Sequence, residues 1–296
     1  MQTISGATAS DLEQASLMMW ESYDYVKAKE ERDFFYKLLI NEPELDPEQL
    51  RIVRVDGRIA ATVFVARRTM FDGWDNLRLG GIGNVAVHPD FRGKGLSILI
   101  LQDAVDYMAQ IGCHVSTLYS GHVGLYERVG YERLSGRGQV KGRVPGEPVH
   151  FQRTKDWSIA EALFAGSISR LPGGMVRSEM YWRRYIAGRW LPSTDIVYSN
   201  DYSAYVIIAD GGEPETVELL DAGYSDNIEQ LENLLRTQFS GLNLSSPSAD
   251  LANPLLSAIN SVVVDASVES SCGLLARTFD GRALPPSFLD MSVDRF

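Results

Sequence analysis

Residues 84–97 read Asn-Val-Ala-Val-His-Pro-Asp-Phe-Arg-Gly-Lys-Gly-Leu-Ser and contain the clearest structural signal in the chain. An apolar stretch ends at His88-Pro89, a basic loop with two glycines follows, and apolar side chains then recur at helical spacing. The first amide groups of a helix have no partner within it, and the helix dipole favours negative charge beside them. The pattern therefore predicts an anion-binding cradle that suits a pyrophosphate or a single sulfate-sized ion.

Other phosphate-binding motifs do not fit this segment. The loop has no GxxxxGK[ST] sequence, which excludes a P-loop, and its glycine spacing is not GxGxxG, which excludes a Rossmann dinucleotide site. Arg92 and Lys94 add positive charge, and the glycines let the backbone approach a ligand closely. A basic surface turn between a strand and a helix is the alternative for this segment taken alone.

The segment resembles the signature of the GNAT acetyltransferase superfamily, R/Q-x-x-G-x-G/A after a strand. Here Arg92 to Ser97 supply it, with serine at the last position in place of Gly or Ala. The resemblance implies a GNAT fold and acetyl-CoA as co-substrate, with the loop amides on its pyrophosphate and the preceding strand along its pantetheine arm; no metal is expected. The implied cofactor residues are Val85, Val87, Arg92, Gly93, Lys94, Gly95, Leu96 and Ser97.

A second segment, Gly124-Leu125-Tyr126-Glu127-Arg128-Val129-Gly130-Tyr131, resembles the GNAT motif in which a tyrosine precedes a glycine–aromatic pair. By that resemblance Tyr126 lies beside the sulfur of CoA and is the general acid for the leaving thiolate, a role that suits a phenol. The alternative is that Tyr126 only packs a short helix. We expect Tyr131 to be a core residue.

The chain also resembles a narrower group, the tandem-GNAT Eis-type acetyltransferases, through residues 124–131, 172–177 and 181–182. Those enzymes acetylate amines of aminoglycosides and of polyamine-like or lysine substrates, and they have a third domain for which this chain is too short. Their terminal Phe carboxylate accepts the proton of the amine. This chain ends in Phe296, which we therefore treat as a catalytic candidate; a terminal strand with its carboxylate in solvent is the alternative.

The general base is not evident from the sequence. Residues 79–85, where many GNAT enzymes place a glutamate, contain no carboxylate. Glu21 and Asp24 in the first helices are the substrate-binding candidates, because that region borders the acceptor site in the family. Glu30 and Glu31 are further candidates, and a solvated acidic helix face is the alternative for each of them.

The segments around residues 84–97 predict an α/β fold with a mixed sheet flanked by helices. Residues 50–55 and 59–68 read as strands joined by Asp56-Gly57, a strong hairpin signal. A strand at 2–5 and a helix capped by Ser10 precede them. A helix at 93–112 and a strand at 115–119 follow, which gives the alternating order of an α/β domain.

A composition shift rich in Gly, Pro and basic residues at 135–150 predicts a domain boundary. We expect residues 1–137 to form the acetyl-CoA-binding GNAT domain and residues 138–296 a second, degenerate GNAT-like unit. Helices at 158–169, 178–187 and 225–238 and strands at 194–198, 204–209, 216–222 and 262–266 are predicted in that unit.

Composition narrows the classes of partner. The 296 residues carry a net charge of −11, which repels nucleic acid and attracts cationic substrates. The chain has two cysteines and neither a signal peptide nor a long apolar stretch, which predicts a cytoplasmic protein without a membrane partner. The sequence leaves open whether the protein forms a homo-oligomer. We expect an N-acetyltransferase that acetylates a small-molecule amine in a ternary complex. The alternatives are a thiol- or antibiotic-precursor acyltransferase and a non-catalytic acyl-CoA-binding or regulatory protein.

Overall fold

A computed structural model describes residues 1–134, 137–212, 215–246, 249–250, 253–270 and 274–281. These residues form two mixed β-sheets flanked by helices, which confirms the predicted α/β class. The strands are β1 Gln2–Gly6, β2 Leu50–Val55, β3 Arg58–Phe71, β4 Asn76–Val87, β5 Val115–Tyr119, β6 Glu132–Arg133, β7 Arg137–Arg143, β8 Met175–Val176, β9 Asp195–Tyr198, β10 Ala204–Asp210, β11 Thr216–Tyr224, β12 Asn243–Ser245, β13 Ala249–Asp250, β14 Val264–Ser270 and β15 Leu274–Thr278.

The helices pack on both sheets. They are α1 Leu12–Ser22, α2 Asp24–Lys27, α3 Phe34–Ile40, α4 Leu96–Gln110, α5 Val123–Glu127, α6 Ser158–Gly166, α7 Ile228–Gln238 and α8 Pro254–Val262, together with a π-helix at Tyr181–Trp190. Among the residues described, no helix is long and apolar enough to cross a membrane.

Local sequence signals account for several of these elements. Asp56 and Gly57 have φ angles of 48° and 83°, the left-handed backbone of the predicted turn between β2 and β3. The predicted cap of the first helix at Ser10 is wrong. A 3₁₀ turn precedes α1, and the backbone N–H and the hydroxyl of Thr8 both donate to the Asp11 carboxylate at 2.9 Å, so the helix entry is fixed two residues earlier.

The predicted strand at 262–266 is only partly correct. Residues 254–262 form α8 because the Asn253 side chain accepts from the amide of Leu255 at 2.9 Å and Pro254 is preset for the first helical turn. The strand β14 begins only at Val264.

Each sheet contains one parallel strand pair joined by a crossover helix. In the first sheet Leu79–Gly81 of β4 pair with Val115–Thr117 of β5, and α4 connects the two strands. In the second sheet Thr216–Glu218 of β11 pair with Asn243–Ser245 of β12, and α7 connects them. Both follow an antiparallel hairpin, so the second sheet repeats the order of the first.

Two strands from the second half of the chain belong to the first sheet. The order of that sheet is β1-β2-β3-β4-β5-β15-β6, and β8 pairs with the far end of β3. Leu275 of β15 is fully buried in the core that also contains Tyr126. The strand β15 thus lies between β5 and β6, although it comes more than a hundred positions after β6 in the sequence.

We predict that Leu275→Ala lowers the free energy of unfolding by about 2–5 kcal/mol, because it removes a buried side chain from the middle of the first sheet. Chemical denaturation measures this change. Val268→Ala is the control; Val268 lies on β14 with 54% of its surface exposed, and its loss should change stability by less than about 0.5 kcal/mol. Equal, small effects of the two substitutions would show that β15 does not contribute to the core.

Candidate cofactor and active site

The loop between β4 and α4 is shaped as an open amide cradle. Gly93 and Gly95 both have φ angles of 76°, and a Cβ on either residue would meet no atom within 4 Å. Glycine is therefore required by the left-handed backbone and not by lack of space. Gly95 is the N-cap of the 15-residue helix α4 and has no side chain to occupy the first amides of the helix, so they face an exposed loop.

Arg92 and Lys94 act differently at this loop. The Arg92 guanidinium donates from Nη2 to the carbonyl of Ser22 at 2.9 Å and from Nε to the carbonyl of Val87 at 3.3 Å. It thereby ties the end of α1 to the end of β4. Lys94 is exposed, and its Nζ lies 5.0 Å from the centre of the Phe91 ring. Lys94 can reach an anion without breaking a contact between α1 and β4.

The strand β4 has a bulge where it leaves β5. Thr62 pairs with Ala86 and Phe64 pairs with Gly83, so Asn84 and Val85 together oppose one residue of β3. Asn84 adopts a left-handed φ of 52°. The pairing of β4 with β5 ends at Gly81, while β5 continues to pair with β15. The segment of β4 that contains Val85 and Val87 thus borders a gap between two parallel strands.

One tyrosine contacts this gap, and a second lies in the core cluster against which Val85 and Val87 pack. Tyr126 on α5 is 7% exposed; burial raises the pKa of its hydroxyl, and a hydrogen bond from Ser120 acts in the opposite direction. The hydroxyl of Tyr23 donates to the carbonyl of Val85. Burial raises the pKa of Tyr23 strongly, and Tyr25 and Tyr126 add to the effect. Tyr131 is buried in the core, as predicted.

The acidic candidates lie on the α1 side of the loop. Oε2 of Glu21 is 3.6 Å from Nε2 of His88 at the end of β4. Asp24 is exposed and pairs with Lys27 at 2.8 Å. Its hydrogen bond and ion pair with Lys27 lower the pKa of the Asp24 carboxyl, and the charge of Arg92 lowers it further. Asp24 is therefore a weak proton acceptor. Phe296 lies outside the described residues.

Sequence reasoning missed Tyr23 and Asn84. A signal for Asn84 exists, because asparagine tolerates left-handed backbone and here follows a glycine inside an apolar strand. Tyr23 has no such signal, since its partner Val85 lies 62 residues away.

The start of α7, the matching position in the second sheet, has no open amide cradle of this kind. The side chain of Asn227 accepts from the amide of Glu229 at 2.9 Å at the start of α7. Oε1 of Gln230 accepts from the amides of Ser225 and Asp226 at 3.1 and 2.8 Å. The amides around the start of α7 are thus satisfied by the chain itself, in acidic surroundings that oppose an anion.

Comparison with known proteins agrees with this geometry. Residues 3–134 match the family model of the acetyltransferase (GNAT) domain. An acetyltransferase of Yersinia enterocolitica is 26% identical over 128 residues, which cover 42% of this chain and 82% of the relative. Residues 3–134 are thus similar to a GNAT acetyltransferase domain, and the named relatives of this part of the chain are acetyltransferases.

Solved structures show a similar fold over nearly the whole chain. The GCN5-related N-acetyltransferase from Anabaena variabilis has a TM-score of 0.71 at 13% identity, over 94% of this chain and 73% of that protein. Eis1 from Mycobacterium abscessus has a TM-score of 0.67 at 15% identity, over 94% and 74% respectively. The tandem arrangement of two sheets is therefore found in known GNAT structures.

We predict that Asn84→Val destabilises the protein by about 1–3 kcal/mol and weakens CoA binding, because a β-branched residue does not tolerate the left-handed backbone of the bulge. Asn84→Gly should preserve both properties. Asn76→Val in the same strand, at an ordinary backbone position, is the matched control for the change in side chain. Unfolding curves and CoA titrations measure the effects; a harmless Asn84→Val would mean that the bulge is not needed.

Proposed function

We propose that the chain transfers the acetyl group of acetyl-CoA to a primary amine in a ternary complex. The proposal rests on the start of α4, where the N-cap Gly95 provides no side chain to accept from the first amides, and on its place beside the gap between β4 and β5. Anionic pyrophosphate suits the amides of residues 92–97 and the charge of Lys94, because the helix dipole and backbone N–H groups favour negative charge there. Val85 and Val87 offer backbone groups to the pantetheine arm.

The reaction is a direct acyl transfer. The amine nitrogen forms a bond to the thioester carbonyl carbon, and the carbon–sulfur bond then breaks to give an amide and the thiol of CoA. A backbone N–H of the bulged segment of β4 stabilises the carbonyl oxygen as it gains negative charge. Tyr126 supplies the proton to the leaving sulfur; its buried hydroxyl remains protonated at neutral pH because burial raises its pKa.

The proton lost by the amine needs an acceptor, and Glu21 is the candidate that the geometry favours. It is partly exposed next to His88 at the end of β4. Asp24 is better suited to attract the cationic amine, since Lys27 holds its carboxyl in the ionised form. The terminal carboxylate of Phe296 remains a proposal that rests on the resemblance alone.

The two units have different roles in this proposal. Residues 1–137 bind the cofactor and, with β8 and β15, form the catalytic sheet. Residues 138–296 form a degenerate unit, which the self-satisfied start of α7 supports. A non-catalytic acyl-CoA-binding protein is the second candidate, favoured by the absence of a carboxylate from residues 79–85 of β4. Turnover of acetyl-CoA with an amine distinguishes the two.

We predict that Tyr126→Phe lowers kcat by about 10²–10⁴-fold with little change in CoA affinity, because the substitution removes a proton donor and preserves the ring. Release of free thiol from acetyl-CoA at saturating amine measures kcat. Tyr25→Phe is the control, since Tyr25 is 68% exposed and should not matter. An unchanged kcat in Tyr126→Phe would assign Tyr126 to packing.

We further predict that cationic amines are better acceptors than neutral or anionic ones, because the protein carries a net charge of −11. The value of kcat/KM should fall as ionic strength rises, since salt screens attraction beyond about 8–10 Å. A panel of aminoglycosides, polyamines, amino acids and peptides at two salt concentrations tests both statements. Faster turnover of neutral acceptors, or a rate that salt does not change, would contradict them.

A further inference from the structure

A second charged cleft lies at the junction of the two units. It has a volume of about 460 Å³ and is lined by β3, β4, the residue after α4 and the segment that follows β8. Four arginines contribute to its wall: Arg67, Arg68, Arg78 and Arg177. Arg78 and Val87 are nine positions apart on β4, which places the cleft about 30 Å from the amide cradle at 3.3 Å per residue.

Two of the four arginines have buried carboxylate partners. Nη2 of Arg68 donates to Glu42 at 3.0 Å, and both side chains are almost fully buried. Arg177 makes two parallel hydrogen bonds to Asp221 at 2.9 and 2.8 Å, and neither side chain is exposed. These charges are compensated within the protein.

The positive charges of Arg67 and Arg78 are balanced much less by acidic side chains. Arg67 donates from Nη2 to the carbonyl of Glu44 at 3.0 Å, and its ion pair with Asp46 is long, at 3.9 Å. Arg78 is exposed and forms no ion pair with any residue in the described part of the chain. Its guanidinium lies over Gly112, where a Cβ would come within 2.6 Å of Nη2. Gly112 thus leaves the room that Arg78 occupies.

The same two guanidinium groups lie near one thiol in the cleft. Burial raises the pKa of Cys113 to about 11, and the charges of Arg78 and Arg67 act against this rise. Cys113 therefore stays protonated and does not neutralise either arginine. The cleft brings two positive charges together in a protein whose net charge is −11, and Glu44 is the one acidic residue in its lining.

We propose that this cleft binds a small oxyanion, a polycarboxylate or a phosphate, between Arg67 and Arg78. Guanidinium groups are planar forks that match both carboxylate and phosphate oxygens, and junctions between domains are common places for ligand pockets. An anion held there would contact β3 and β4 of the first sheet and Ser178 of the second half. It would stabilise the docking of the two units at a site separate from the cofactor.

Thermal unfolding of the full chain tests the proposal. Citrate and inorganic phosphate are each titrated at constant ionic strength, with chloride as the compensating ion, both with saturating CoA to fill the amide cradle and without it. A specific site gives a rise in Tm that grows as ln(1 + L/Kd), where L is the ligand concentration, negligible below Kd and logarithmic above it. We expect the double variant Arg67→Ala/Arg78→Ala to lose this rise and Arg183→Ala, an exposed arginine of the π-helix, to keep it.

The outcomes separate the ligand classes. A Tm rise with citrate alone indicates a carboxylate site, a rise with phosphate alone indicates a phosphate site, and a rise with both indicates a general oxyanion site. No rise, or the same rise in the double variant, would overturn the proposal. If the double variant does not fold, Arg78→Gln should raise Kd at least tenfold, and an unchanged Kd there would equally overturn it. Measurements without CoA keep this test independent of cofactor binding.

Discussion

The separation of β4 from β5 beyond Gly81 is the constraint on which the site depends. The crossover through α4 makes the two strands parallel, and the bulge at Asn84 and Val85 then turns β4 away. The backbone groups exposed by this separation need partners, and the Tyr23 hydroxyl provides one for the Val85 carbonyl. On its other edge β5 stays paired with β15, so the gap opens on one side only. The start of α4 follows the open end of β4, and Tyr126 lies in the core cluster against which Val85 and Val87 pack.

The second unit supports the first at a buried charged contact. Arg68 of β3 pairs with Glu42, and its guanidinium carbon lies 5.1 and 4.9 Å from the ring centres of Tyr181 and Tyr185 on the π-helix. Cation–π contacts of this kind are strongest where water is excluded. A buried ion pair offsets its own desolvation only in good geometry, so it fixes orientation more than it adds stability. The π-helix thus contacts the first sheet through Arg68 and fixes the orientation of the two units. The start of α7, by contrast, forms no amide cradle.

The parts predicted from sequence are those that local chemistry determines. The Asp56-Gly57 hairpin, the loop at residues 84–97 and the α/β order follow from backbone preferences and apolar periodicity within short windows. The insertion of β15 between β5 and β6 could not be predicted from the sequence, because no local pattern identifies a partner strand more than a hundred residues away. The apolar spacing predicts a helix at 178–187; the structure has a π-helix at Tyr181–Trp190, a winding that this spacing does not distinguish from an α-helix.

We propose one cofactor site per chain, formed by the cradle before α4, and none at the start of α7. Isothermal titration of CoA into the full chain measures this stoichiometry directly. The matched pair Gly95→Ala and Gly212→Ala localises the site, because both glycines have left-handed backbone, with φ of 76° and 74°, in open space, and only Gly95 lies in the cradle. We predict one CoA per chain and no change in Gly212→Ala. In Gly95→Ala the affinity should be about tenfold weaker, because the free loop relaxes out of the left-handed backbone and binding must restore about 1–2 kcal/mol of strain. Two CoA molecules per chain, or equal affinities for the two variants, would contradict the account.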